Sequence, residues 1–201
     1  MKQLLSVLIF IIAFECANAQ SVKSGWSVTP RVGVNFSDIG NKDDYLYDDP
    51  VGHYGTSLKA GFTAGVDVEY RHCKWTGTVL GISYSNEGYL IKYSEKWKEK
   101  YSFNYVGLAA TESFYVSRYL AVKTGLQLGY LAGAPRSNIY PWSHSHWNLS
   151  IPVGISGEYK HVVLDLRYYF GLQDVGGYKY DGDEKCRTKS LWITLGYKFS
   201  L

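Results

Sequence analysis

The chain is short of the features that mark several large classes of protein. Its 201 residues include only five prolines and three cysteines. Charge is nearly balanced, with 21 Lys and Arg against 18 Asp and Glu for a formal net +3. That is too weak for a nucleic-acid surface, which needs a clustered basic face. Disorder is excluded as well, because 46% of the residues are hydrophobic. Past residue 20 no apolar run is long enough for a membrane-spanning helix, which takes about 20 residues. Mean hydropathy is slightly negative, which taken alone suggests a soluble protein. What abounds is glycine, tyrosine and tryptophan, at 21, 19 and 6 residues. That mixture points to an all-β chain of many strands.

The first residues form an address. Met1-Lys2-Gln3 is a short positive start, and Leu4 to Phe14 is apolar apart from Ser6. Ala17-Asn18-Ala19 supplies the small-x-small site that signal peptidase accepts. The apolar run is too short to cross roughly 30 Å of hydrocarbon. Lipidation at Cys16 is disfavoured by Glu15, which stands where a small residue is needed. The expected division is a signal peptide over 1–19, cleaved at the Ala17/Ala19 site, and one exported domain over 20–201. An exported chain without a spanning helix is either soluble or a β-barrel, whose backbone is also fully satisfied in lipid.

Period-2 alternation runs through the exported part. From Leu58 to Tyr70, Leu58, Ala60, Phe62, Ala64, Val66, Val68 and Tyr70 alternate with Lys59, Gly61, Thr63, Gly65, Asp67 and Glu69. Such a segment is a strand with two unlike faces. The pattern recurs over Trp26–Phe36, Leu120–Tyr130, Leu149–Tyr159, Val162–Leu172 and Leu191–Leu201. Trp75–Ser85 is less regular. Tyr101–Phe114 is a strand by position, and Glu112 there suggests that its even positions face the polar side. Eight strands result. The connections between them alternate long (37–57, 86–100, 134–147, 173–187) and short (71–74, 115–118, 160–161). An up-and-down antiparallel transmembrane barrel has this rhythm, with short turns at the periplasmic rim and long loops outside.

Alternation does not say which face is inside. A soluble lipocalin-like barrel would turn its apolar parity inward to a ligand, whereas a membrane barrel is inverted. Here the polar parity is rich in small residues, with isolated charges of both signs. Those charges are Arg31, Lys59, Asp67, Glu69, Lys123, Glu158, Asp165, Arg167 and Lys198. Small residues suit the narrow lumen of eight strands, which side chains fill. The apolar parity ends in rings, Trp26, Phe36, Tyr70, Tyr84, Tyr130, Tyr159, Phe170, Tyr197 and Phe199, as the aromatic girdles of membrane barrels do. The expectation is a transmembrane barrel in the cell outer membrane, its nine lumen charges paired as a structural network.

The final segment, Thr194-Leu195-Gly196-Tyr197-Lys198-Phe199-Ser200-Leu201, resembles the C-terminal assembly signal of bacterial outer-membrane barrels. Thr194, Gly196, Phe199 and Leu201 carry the likeness. With LAVKTGLQLGYLAGA at 120–134 and the Ala-Gln junction at 19–20, the chain resembles the small porin-family outer-membrane β-barrels of Bacteroidetes, the PorT-like group. The resemblance implies an eight-stranded barrel in a Gram-negative host and says little about activity. The partners to expect are outer membrane lipids, lipopolysaccharide and the barrel assembly machinery. A monomer with an unidentified surface ligand and no nucleic acid fits this picture.

Other clusters are weaker. His144 and His146, in Ser143-His144-Ser145-His146, share a parity and could hold a metal, or work with a serine as in an outer-membrane lipid-modifying enzyme. Neither a third ligand nor an orienting acid stands nearby, so a solvated loop tip is the simpler reading. The acids Asp38, Asp43, Asp44, Asp48 and Asp49, with Asp181, Asp183 and Glu184, offer oxygens for Ca²⁺ but lack EF-hand spacing. Lys92, Lys96, Lys98 and Lys100 interleave with Glu95 and Glu99, which reads as a mixed-charge extended hairpin above the membrane rather than a phosphate site. Cys73 and Cys186 fall at opposite rims of a band about 25 Å tall, beyond the roughly 7 Å that a disulfide spans, so no bridge is expected. No cofactor, metal site or catalytic residue is expected, and the chain reads as a structural or surface-interaction barrel presenting four long loops.

Overall fold

The computed structural model describes residues 25–40, 48–49, 52–53, 55–92, 98–133, 146–173 and 187–201. Eight long strands make up almost all of them. These are β1 (Gly25–Gly40), β2 (Gly55–Arg71), β3 (Thr76–Lys92), β4 (Lys98–Tyr115), β5 (Leu120–Gly133), β6 (Trp147–Tyr159), β7 (Val162–Gly171) and β8 (Arg187–Tyr197). Each pairs antiparallel with the next in sequence, and β1 pairs with β8, from Arg31 opposite Gly196 to Gly40 opposite Arg187. The sheet is therefore closed, an up-and-down barrel with no free edge. Phe199–Ser200 completes the seam against Ser27 and Val28. A two-residue ladder, Asp48–Asp49 with Gly52–His53, lies apart from the barrel sheet.

The apolar parity faces outward. Val32, Phe62, Leu80, Leu108, Leu126, Ile155 and Leu195 are all exposed, Val32 and Leu108 at 63%. The alternate residues, among them Arg31, Thr63, Asp67, Ser83, Arg167 and Thr194, are buried in the lumen. A soluble ligand-binding barrel requires the opposite sense, so that alternative fails. The girdle is also outward: Trp26, Tyr130, Tyr159, Phe170, Tyr197 and Phe199 are exposed. Neighbouring rings meet across strands, with 4.8 Å between Trp26 and Tyr70 and 5.1 Å between Tyr130 and Trp147.

Strand β4 departs from the expectation. Its even positions face lipid, not the polar side: Val106, Leu108 and Phe114 are exposed, while Tyr105, Ala109, Thr111 and Ser113 are buried. Register decides this. Leu108 stands opposite Ile82 of β3 and Leu128 of β5, both outward, and a one-residue slip would invert the whole strand. Glu112 is carried outward as a consequence, and it accepts a hydrogen bond of 2.8 Å from Thr78 Oγ1.

The second long connection is mostly ladder. Strands β3 and β4 stay paired from Asn86–Asn104 up to Lys92–Lys98, so the hairpin rises well past the apolar band. Of the expected loop over 86–100, only residues 93–97 fall between the two strands. The physical cause is continued alternation: Ser85, Glu87 and Tyr89 keep the inward parity and are buried.

Candidate functional site

The lumen holds the chemistry, arranged in levels. At the level nearest the short turns, Lys198 Nζ lies 3.0 Å from Glu69 Oε2 and 2.9 Å from Glu158 Oε2. Tyr115 donates its hydroxyl hydrogen to Glu69. Glu158 is the most open of these groups, with 29% of its side chain exposed.

The middle level is a chain of charges across the barrel. Arg31 Nε is 3.1 Å from Asp67 Oδ1. Arg167 bridges two carboxylates, Nη2 to Asp67 Oδ2 at 2.7 Å and Nε to Asp165 Oδ1 at 2.6 Å. Lys123 Nζ closes the chain on Asp165 Oδ2 at 3.1 Å. These residues come from β1, β2, β5 and β7, brought together only because the sheet closes. Arg31, Lys123, Arg167 and Lys198 face Asp67, Glu69, Glu158 and Asp165, so both levels together are neutral. A buried charge is tolerable when paired and hydrogen-bonded. Arg167, with guanidinium bonds to two carboxylates, meets that condition in the fork geometry that suits arginine.

The outer level is built differently, and Lys59 belongs here rather than with the carboxylates. Its Nζ donates to Asn86 Oδ1 at 2.6 Å, Glu87 O at 2.8 Å and Asn86 O at 3.2 Å. The register between β2 and β3 shifts between Leu58 and Thr63, where residues 59–62 of β2 stand against only Asn86, Glu87 and Gly88 of β3. Gly88 takes φ of +145°, and a Cβ there would overlap Tyr101 O. Only glycine fits such a bulge. Ser37 Oγ accepts from Gly88 N at 2.8 Å and donates to Gly88 O at 3.0 Å, pinning the bulge from β1. Lys59 thus donates to two backbone carbonyls at the register shift.

Aromatic rings fill the rest of this level. Tyr89, Phe103, Tyr105 and Leu131 form a buried cluster, and Trp192 packs on Tyr169 with 4.3 Å between centroids. Trp192 Nε1 donates to Ser190 Oγ at 2.8 Å. Alternation already puts Tyr169 and Trp192 on the polar parity of their strands, whereas sequence reasoning missed Tyr89, Phe103 and Tyr105 as lumen residues. It also missed Glu87, whose carboxylate accepts from Ser85 Oγ at 2.9 Å, and Tyr115. Their common signal is parity: all continue the inward alternation of strands longer than the apolar band.

The other residues singled out by sequence divide. Thr194 and Gly196 face the lumen side of β8, whereas Phe199 and Leu201 are exposed at the turn end. Ala17 and Ala19 lie outside the described residues, as do His144, Asp43, Asp44, Glu95, Lys96, Asp181, Asp183, Glu184 and Cys186. His146 is exposed, with its ring stacked 6.4 Å from Tyr130. Cys73 Sγ is 3.3 Å from Thr76 Oγ1 in the first short turn. Among the described residues no three His, Cys, Asp or Glu side chains gather as a metal site.

These charged side chains fill much of the space they surround. Between the two charged levels the free space is a cavity of about 20 Å³, lined by Arg31, Asp67, Glu69, Lys123, Asp165 and Lys198 among others. That is room on the scale of a single water.

Comparison with known proteins agrees with the fold. A family model described as "Outer membrane protein beta-barrel domain" matches residues 18–176. The attachment invasion locus protein Ail of Yersinia pestis, solved with the heparin analogue sucrose octasulfate, is similar at 19% identity and a TM-score of 0.51. That match covers 87% of this chain and 99% of Ail. The outer membrane protein OprG of Pseudomonas aeruginosa is similar at 12% identity and a TM-score of 0.51, over 88% of this chain and 97% of its own. Both likenesses concern the fold. No curated protein matches the sequence.

Proposed function

The chain belongs to the outer membrane β-barrel domain family and lies in the cell outer membrane, and from that position we propose that it is a non-conducting, non-enzymatic barrel whose filled lumen makes a rigid pedestal for surface contacts. The observation that carries the reading is the crossing chain Arg31–Asp67–Arg167–Asp165–Lys123. Five charges joined wall to wall leave no continuous wet path, which a pore requires. The extended β3–β4 hairpin supports the surface role, since it stays paired beyond the apolar band and so projects a stiff arm. The 120–134 segment and the Ala-Gln junction at 19–20 support a PorT-like, Bacteroidetes membership. Lipopolysaccharide is the neighbour expected at the loop end.

Planar-bilayer recording tests it. The purified full chain is expected to give no stepwise conductance in roughly molar KCl, where surface charge is screened. The double variant Asp67→Ala, Arg167→Ala, which clears the crossing, is expected to give small, open-channel steps if it folds. Reproducible steps from the unaltered protein would overturn the proposal.

A further inference from the structure

The short turns form a cationic collar. Segments 71–75, 116–119 and 160–161 hold Arg71, Lys74, Arg118 and Lys160, with His72 and His161, and no acid. In every one of the three, a base lies over a ring at the membrane boundary. Lys74 Nζ is 5.1 Å from the Trp75 centroid, Arg118 Cζ 4.9 Å from Tyr119, and Lys160 Nζ 5.6 Å from Tyr159. Trp75, Tyr119 and Tyr159 are exposed, as interfacial rings are.

The collar is also held together by its backbone. Tyr115 N donates to Trp75 O at 2.7 Å, Glu158 N to Tyr119 O at 2.7 Å, and Lys198 N to His161 O at 2.7 Å. Each turn is thus tied by a backbone hydrogen bond to the strand beyond its own hairpin. Lys160 sits at φ of +56°, a left-handed position in a two-residue turn that glycine or asparagine fills more easily. The acids at this end are engaged: Glu69 and Glu158 with Lys198 inside the lumen, Glu112 with Thr78 on the wall.

We propose that this collar binds the phosphate headgroups of anionic phospholipids in the leaflet at the turn end, which is the periplasmic leaflet by loop length. The rings sit in the interface, and each holds its cation at headgroup depth. Bases near an anionic surface each strengthen attachment by roughly fivefold. The orientation rests on loop length and family, not on whether the lumen conducts.

Native mass spectrometry of the full chain tests the proposal. Protein is released from micelles doped with equal amounts of phosphatidylglycerol and phosphatidylcholine. Retained phosphatidylglycerol is expected to exceed phosphatidylcholine, and the triple variant K74Q/R118Q/K160Q is expected to lose more than about tenfold of that excess. Heat-modifiable gel migration of the variant reports that it is folded. Lys100→Gln, an exposed base at the opposite end, is expected to change nothing. Equal retention of the two lipids, an unaffected triple variant, or an equal loss in K100Q would each overturn the proposal. Displacement of the lipid by millimolar inorganic phosphate would also overturn it, as a site for the free ion.

Discussion

Arg167 and Asp67 stand a hundred residues apart in sequence and 2.7 Å apart in the lumen. The pair joins β7 to β2 across the barrel interior, not along a ladder. With Asp165 on the same guanidinium, it ties opposite walls to one planar group. Breaking a buried pair by removing one partner is costly because the other charge stays buried.

Arg167→Met should therefore destabilise strongly, by about 3–5 kcal/mol, leaving Asp67 and Asp165 together without their shared cation. Denaturant unfolding in micelles, followed by tryptophan fluorescence, reads this. A loss under about 1 kcal/mol would mean that the crossing does not hold the walls.

The bulge at the outer level should tolerate no side chain at its turning point. Gly88→Ala forces a Cβ against Tyr101 O and is expected to cost about 1–3 kcal/mol. Lys59→Met should fall in a similar range, because the carbonyls of Asn86 and Glu87 lose their donor. The same unfolding measurement applies. Equal stability of K59M and the parent would show that the carbonyls find another partner.

The sense of β4 can be checked by paired substitutions. Leu108→Arg places a charge on the lipid face and should cost about 2–4 kcal/mol near the bilayer middle. Glu112→Gln, at the rim, should cost well under that. Folding into lipid vesicles, scored by heat-modifiable migration, compares the two. A benign L108R with a severe E112Q would restore the inverted register.

Assembly should depend on the exposed end of the seam. Phe199→Ala removes a ring that lies outward beside Tyr197, at 4.8 Å. If the terminal segment is read by the insertion machinery, this variant should accumulate in unfolded form in cells yet refold normally in micelles. Normal levels of folded F199A in cells would remove Phe199 from that signal.

Much of the architecture was legible because a period of two is a local property. From Leu58 to Tyr70 the two faces can be told apart residue by residue, and the inward set Lys59, Thr63 and Asp67 is the buried set. The girdle rings were legible for the same reason. Strand β4 was not, since both of its faces carry small and aromatic residues, and one acid, Glu112, outweighed the rest. Glu87 and the inner ring Tyr89 were missed because strand length was judged by membrane thickness, and Tyr105 because the parity of β4 was inverted. The ladder goes on past the apolar band as long as its backbone partners do.

The sequence by itself determined the eight strands, the alternation of all but β4, the short turns, and the set of charges that must avoid lipid. Those follow from side-chain chemistry at spacings of a few residues. Which charges meet was decided by the tertiary structure alone. Arg167 finds Asp67, and Lys59 finds the backbone of Asn86 and Glu87, because the stagger and closure of eight strands set what lies across a lumen a few side chains wide. The same closure ties the short turns into one collar. No local pattern encodes that distance, since it depends on the registers of all the strands together.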